Sequence, residues 1–233
     1  MNILITGATK GIGKAIAFKM ASRGYNLSLC ARNIDELKTL KTEIHQHFPS
    51  LKIYIQAADC SIKAEVGSFA ENAVQEFGFI DVLINNAGVF KPSAILDEDD
   101  DSLQNHLDIN LLAPYYLYKK IGPLMRDAKK GYIVNICSVA SKEVIVNAGS
   151  YCVTKAALLS LNNMMRKEMM EHGVKVTAIL PGSTLTSSWE GTTISADEFV
   201  QPEDVAQVVD SVLSLSAGAN IEEIMIKPLH GQI

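Results

Sequence analysis

The chain has 233 residues, enough for one large core at roughly 100–200 residues per domain. Hydrophobic residues at 48% and charged residues at 20% are the balance of a globular protein, and the net charge of −5 argues against nucleic acid or an anionic membrane as partner, since both are held by basic surfaces. No apolar stretch approaches the roughly 18 residues of a membrane span and residues 1–5 read as a strand rather than a secretory leader, so the protein is expected in the cytoplasm.

Apolar, β-branched-rich runs at 2–6, 26–31, 53–57, 82–85, 132–137, 175–180 and 221–227 alternate with longer helical patterns. Strands of that kind, separated by helices, are what a parallel sheet buried on both faces produces. The expected fold is α/β: a doubly wound, Rossmann-like parallel sheet of about seven strands with helices on both faces. No repeat, low-complexity tract or Pro/Ser-rich linker interrupts it, so 1–233 reads as a single domain.

The first strand runs into Thr6-Gly7-Ala8-Thr9-Lys10-Gly11-Ile12-Gly13 and then a helical pattern at 14–22. Glycines at 7, 11 and 13 let the chain turn tightly and bring its backbone against a pyrophosphate, which rests on the helix N-terminus. Gly7, Thr9, Lys10, Gly11, Ile12 and Gly13 are therefore expected to bind a dinucleotide. The second strand ends Cys30-Ala31-Arg32-Asn33, without the carboxylate that would accept an NAD ribose hydroxyl. Arg32 can meet a 2′-phosphate in bidentate fashion, and Lys10 could reach it from the other side. That favours NADP(H) over NAD(H); the alternative is two solvated surface cations.

Five acids, 97–101, precede an apolar-periodic segment at 103–125. They could form a metal or partner site, but acids at a helix start also favour the positive end of its dipole, and that is the stronger reading. Within the segment, Pro114 has no N–H to give the carbonyl of Asn110, four residues earlier, which leaves that oxygen free. A second long helix, expected from about 147 to 173, carries Tyr151-Cys152-Val153-Thr154-Lys155. Residues four apart share a helix face, so the Tyr151 phenol and the Lys155 ammonium project side by side. Alone, such a pair is usually an exposed Tyr beside a solvated Lys.

Together these residues resemble the short-chain dehydrogenase/reductase family, over nearly the whole chain. The glycine turn matches T-G-x-x-x-G-x-G through Thr6, Gly7, Gly11 and Gly13, and Asn85-Asn86-Ala87-Gly88 reproduces N-N-A-G after the fourth strand. Ser138 lies thirteen positions before Tyr151, the family's usual interval, and Asn110 falls where the family places its catalytic Asn. Pro181-Gly182-Ser183-Thr184-Leu185-Thr186 resembles the turn that holds the nicotinamide carboxamide. The resemblance implies catalytic roles for Asn110, Ser138, Tyr151 and Lys155. It implies cofactor contacts from Asp59 and Cys60, from Asn86, Ala87 and Gly88, from Tyr151 and Lys155, and from Pro181, Gly182, Thr184 and Thr186.

In that mechanism Tyr151 gives its proton to a carbonyl oxygen while the nicotinamide delivers hydride, or acts as base in reverse. A free phenol has a pKa near 10, so Lys155 and the cationic nicotinamide are expected to stabilise the phenolate, and Ser138 to fix the carbonyl oxygen. In the family the Asn110 carbonyl holds a water that joins Lys155 to solvent, which makes Pro114 either part of that relay or a tolerated kink.

Some residues depart from common family usage. Cys137 precedes Ser138 where a serine is frequent, and Cys152 follows Tyr151. Either could make the site sensitive to oxidation, though with no C-x-x-C pair among Cys30, Cys60, Cys137 and Cys152 small buried residues are the simpler reading. The chain end lacks the Gly-Gly pair of many members, which puts transfer of a particular substrate in doubt. A short substrate-side loop at 186–201 carries Trp189 and Phe199.

The expected partner is a small carbonyl compound or its alcohol. One alternative is reduction of 3-oxoacyl groups on acyl carrier protein, with Lys129, Lys130 and His172 as its basic surface; these cations also complement helix C-termini without any partner, and that is the stronger reading. Another is an NADP-binding sensor or scaffold without chemistry. The helices around 105–128 and 150–172 are apolar over more than one face, which suits a homodimer or homotetramer.

Overall fold

The computed structural model describes residues 1–231. Strands β1 (Asn2–Thr6), β2 (Asn26–Ala31), β3 (Ile53–Ala57), β4 (Val82–Asn85), β5 (Tyr132–Ile136), β6 (Lys175–Pro181) and β7 (Glu223–Ile226) form one sheet in the order β3-β2-β1-β4-β5-β6-β7. Every pairing is parallel, which confirms the expected doubly wound class. The order reverses between β1 and β4, and that crevice at the strands' carboxyl ends is where open α/β sheets take ligands.

Alternation along each strand divides the core. Ile3, Ile5, Leu27 and Leu29 face one layer with α1 (Gly11–Ser22), α2 (Ile34–His47) and α7 (Pro202–Leu213). Leu4, Leu83 and Ile133 face the other, with α3 (Lys63–Phe77), α5 (Ala113–Ala128) and α6 (Gly149–Met169). Both faces are covered, so the strands can be apolar almost throughout. A chain of buried amides crosses the second layer: Asn85 donates to Asn135 at 2.7 Å, and Asn135 donates to Asn162 of α6 at 2.9 Å. It ties β4 and β5, which end at the crevice, to the helix bearing Tyr151 and Lys155.

The long helix expected around 105–128 is three pieces. A short α4 (Ser102–Leu107) leads into a π turn over Asp108–Leu112, in which the N–H of Ala113 reaches the carbonyl of Asp108, and α5 follows. Pro114, in the first turn of α5, lies just beyond that π turn. The residues flanking the π turn keep helical dihedrals, and no glycine or proline within it marks it in the sequence. The acidic run also acts differently from a simple dipole cap on the next helix. The Glu98 carboxylate accepts the backbone N–H of Ser150 at 2.8 Å and the Ser150 hydroxyl, so it caps α6, fifty-two residues further on. Those two bonds hold its carboxyl below the usual range. Asp99 pairs with Lys91. Among the described residues, no helix is long and apolar enough to cross a membrane.

Candidate active site

The glycine turn packs as its spacing demands. A Cβ on Gly13 would lie 2.1 Å from the carbonyl oxygen of Gly7, so only glycine lets α1 begin this close to β1. Gly7 itself sits at φ +65°, in the left-handed region. Asn86 fastens the turn, its amide donating to the carbonyls of Thr6 at 2.9 Å and Gly7 at 3.1 Å. The Thr6 hydroxyl in turn accepts the N–H groups of Asn86 and Ala87. These bonds hold the N-N-A-G segment against the turn as one wall.

That wall opens on a cleft of about 450 Å³ that gathers most of the residues expected to meet a dinucleotide: Gly7, Thr9 to Gly13, Arg32, Asp59 and Cys60, Asn86 to Gly88, and Thr186. The cleft suits an extended, doubly charged molecule, with the N-terminus of α1 at its middle and cations at one end. Lys10 bonds the Glu36 carboxylate at 2.8 Å, and this contact, with the Thr9 hydroxyl and the charge of Arg32, holds Glu36 below the ordinary carboxylate range. Glu36 lines the cleft beside Arg32 and was not singled out from the sequence; its place in the first turn of α2, four residues past Arg32, is the signal that could have found it. One Asp59 oxygen is used within its own loop, accepting the N–H and hydroxyl of Ser61 at 2.9 and 2.8 Å. Cys60 lies against the buried Cys30 thiol, and that contact together with burial pushes Cys30 well up.

A second cleft joins the first through Ile12, Asn86, Gly88, Val89, Thr186 and Ser188, and it contains Ser138, Tyr151 and Lys155 with Pro181, Gly182 and Thr184. Ser138 follows β5, and its hydroxyl, which accepts the N–H of Ala140 at 3.1 Å, stands near enough to the Tyr151 phenol to lower its pKa. Tyr151 is half-buried, with the Phe90 ring 4.8 Å away edge to face. Lys155 is 4% exposed, and its ammonium donates to the carbonyl of Ile136 at 2.9 Å.

Burial governs both titrations. It lowers Lys155 to about 8 and raises Tyr151, with the Ser138 hydroxyl opposing the rise. The sequence reading expects Lys155 to depress the phenol. In this geometry the ammonium is turned to Ile136 and lies 5.7 Å from the Tyr151 ring centre, so desolvation prevails. Cys137 is buried and pushed up to about 12, the behaviour of a packing residue rather than a redox thiol.

Asn110 sits behind this group, in the π turn. Its amide donates to the Val89 carbonyl and to the Thr154 hydroxyl, both at 3.1 Å, and its carbonyl oxygen accepts the Val89 N–H at 2.8 Å. The side chain is thus a clamp between the Val89 segment and α6. The loop at 186–201 forms two short 3₁₀ turns, Ser187–Trp189 and Ala196–Glu198, with Trp189 and Phe199 packed 4.9 Å apart.

Lys129, Lys130 and His172 do not flank this site. Lys130 and His172 lead into the starts of β5 and β6, whereas Ser138 and Pro181 stand at their ends, so these cations lie at the opposite edge of the sheet. Lys130 is engaged there with Asp81 and lies over the Phe79 ring. A basic surface for acyl carrier protein is therefore not built from them.

A sequence model described as short chain dehydrogenase matches residues 1–195. An oxidoreductase of Staphylococcus haemolyticus is 30% identical over 226 residues, covering 97% of this chain and 96% of its own; one of Staphylococcus aureus is 31% identical over the same span. Both carry the name uncharacterized oxidoreductase. The alcohol dehydrogenase of the archaeon Thermococcus sibiricus, solved with 5-hydroxy-NADP, superposes with a TM-score of 0.92 at 25% identity, covering 100% of this chain and 98% of its own. A metagenomic short-chain oxidoreductase solved with NADP gives 0.85 at 29% identity, covering 98% and 96%. With a family model matched over residues 1–195 and relatives at 30% identity and above that cover nearly the whole chain, the chain belongs to the short-chain dehydrogenase family of oxidoreductases.

Proposed function

We propose that this protein is an NADP(H)-dependent oxidoreductase that interconverts a carbonyl compound and its alcohol, with Tyr151 as general acid/base. The observation that carries the reading is the continuity of the two clefts: Ser138, Tyr151 and Lys155 stand at one end, Arg32 and Lys10 at the other, with the glycine turn between. NADPH, when bound, supplies the hydride. Arg32 and Lys10 bind the 2′-phosphate, and the α1 N-terminus takes the pyrophosphate. The two relatives solved with NADP and 5-hydroxy-NADP support that choice of dinucleotide.

Each remaining step belongs to the chain's own side chains. The Ser138 hydroxyl, which lines the same cleft as the phenol, holds the carbonyl oxygen beside it. Burial raises Tyr151, so the phenol is protonated at neutral pH and suited to give a proton to that oxygen. Lys155 binds the nicotinamide ribose and returns a proton toward Tyr151, a task suited to an ammonium lowered to about 8. Asn110 positions α6 and the Val89 segment through its side chain and offers its backbone carbonyl to the relay. Chemistry and binding share one domain. The exposed Tyr115 and Met164 on α5 and α6 suit a homodimer.

Loss of absorbance at the nicotinamide band, with NADPH and a panel of ketones, quinones, sugars and 3-oxoacyl thioesters, tests the reading. Turnover is expected in the native protein and a loss of about 10²–10⁴-fold in Tyr151→Phe, with NADPH binding retained. Tight NADPH binding without turnover of any compound would instead identify a sensor, and preference for NADH would reject the role of Arg32 and Lys10.

A further inference from the structure

The walls around Tyr151 point to a class of substrate. Beyond the residues expected to meet the dinucleotide, the cleft is closed chiefly by apolar side chains, Phe90, Val139, Ile145 and Trp189 among them, with Ser183 and Ser188 as its further hydroxyls besides Ser138. Lys155 is the one cation in its lining, and it is buried and engaged with the Ile136 carbonyl. The cations adjoining these walls in the chain are paired as well: Lys91 with Asp99 and Lys142 with Glu223, while Lys227 holds Glu143. A carboxylate or phosphate on the substrate would meet no free cation. Along the side of Phe90, Val139, Ile145 and Trp189 the hydroxyls of a sugar would exchange water for hydrocarbon, which is costly without compensating hydrogen bonds. Ile145 faces two ways. It also borders a surface groove with Leu96, Val144 and Val146, which are 97%, 91% and 78% exposed, so the apolar lining continues outward from Tyr151.

We infer that the substrate is an uncharged ketone, or the matching secondary alcohol, whose non-reacting part is hydrocarbon and runs from Tyr151 over Ile145. The inference rests on the hydride-transfer reading above. In reduction the carbonyl π bond breaks, hydride passes from NADPH to the carbon, and the Tyr151 proton goes to the oxygen, giving the alcohol and NADP⁺.

The test is a series of straight-chain 2-ketones of increasing length, set beside 2-oxo acids and ketoses of matched size, with the intact protein and NADPH. The expected kcat/KM rises by about fourfold for each added methylene while the chain lies on the apolar wall. The acid and sugar analogues fall far below the ketone of equal length. Ile145→Asn is expected to flatten the series. A charged or polyhydroxylated carbonyl turned over as well as its apolar counterpart would overturn the inference.

A separate readout divides the two proposals. Trp189 is the single tryptophan of the chain and lines this cleft, so its fluorescence reports ketone binding without any turnover. Binding that tightens with chain length while no NADPH is consumed upholds the apolar class and rejects hydride transfer. Binding indifferent to chain length rejects the apolar class whatever the turnover.

Discussion

The ammonium of Lys155 donates to the backbone carbonyl of Ile136, so the cation of α6 is anchored to the end of β5 and not to the phenol one turn earlier. Its burial leaves a mark on stability. Lys155 titrates at about 8 in the folded protein and at about 10.4 when unfolded, so between those values the unfolded chain holds a proton that the folded one has released. Stability from this group therefore rises with pH across that window, and below it the buried charge destabilises the fold by about 3 kcal/mol. Lys155→Met lacks this dependence. In urea unfolding, its stability relative to the parent is expected to fall by about 2 kcal/mol between pH 7.5 and 9.5. A constant difference would mean that Lys155 is not held in low dielectric. Comparing the two proteins cancels Tyr151 and Cys137, whose raised values act in the opposite sense at high pH.

Glu36 sets a limit on cofactor discrimination. It neutralises Lys10 at the corner where Arg32 stands, and a 2′-phosphate would have to draw Lys10 away. Glu36→Gln removes the competitor. The contact is exposed and screened by solvent, so the gain in NADPH binding should be modest, at most about fivefold, with NADH little changed. Titration calorimetry with both nucleotides checks this; equal gains for the two would show that Glu36 does not act on the phosphate.

His106 positions the wall beside Tyr151. It is 1% exposed, its Nδ1 donates to the Ser102 carbonyl at 2.8 Å, and its Nε2 accepts the N–H of Lys91 at 3.3 Å, the tautomer being assigned from these partners. Lys91 follows Phe90, whose ring abuts Tyr151. His106→Leu leaves the Lys91 N–H unpaired, at a cost of about 1–3 kcal/mol. A fall in kcat is expected with the Kd for NADPH unchanged, while an unaltered kcat would confine His106 to stability alone.

Pro114 bears on the relay. Pro114→Ala adds an N–H just after the π turn, where it can compete for the carbonyl of Asn110. The expected outcome is a larger solvent isotope effect on kcat and a shifted pH–rate profile. Profiles that overlay those of the parent would make the proline a kink without catalytic consequence.

Local chemistry was the legible part of this molecule. The strands announced themselves because both faces of the sheet are covered, and the glycine turn and the Tyr151 to Lys155 pair because their geometry is set within a few residues. Contacts across the fold were not legible. Nothing near Glu98 in sequence points to Ser150, and the apolar period gives no sign of the π turn at Asp108–Leu112. The sequence could not by itself place Lys129, Lys130 and His172 relative to the site. A helix that crosses back delivers its C-terminus to the start of the next strand, and the chemistry of a parallel sheet gathers at the other end.

The amide chain from Asn85 through Asn135 to Asn162 has a consequence for how this sequence can drift. Changing one member strands its neighbour without a partner in a dry layer, at about 1–3 kcal/mol, whereas an apolar trio of similar volume would strand none. A change at one of the three positions is therefore expected to cost more than an apolar replacement of all three, and since the block joins two strands of the crevice to the helix of Tyr151 and Lys155, the alignment of the reacting groups depends on all three together.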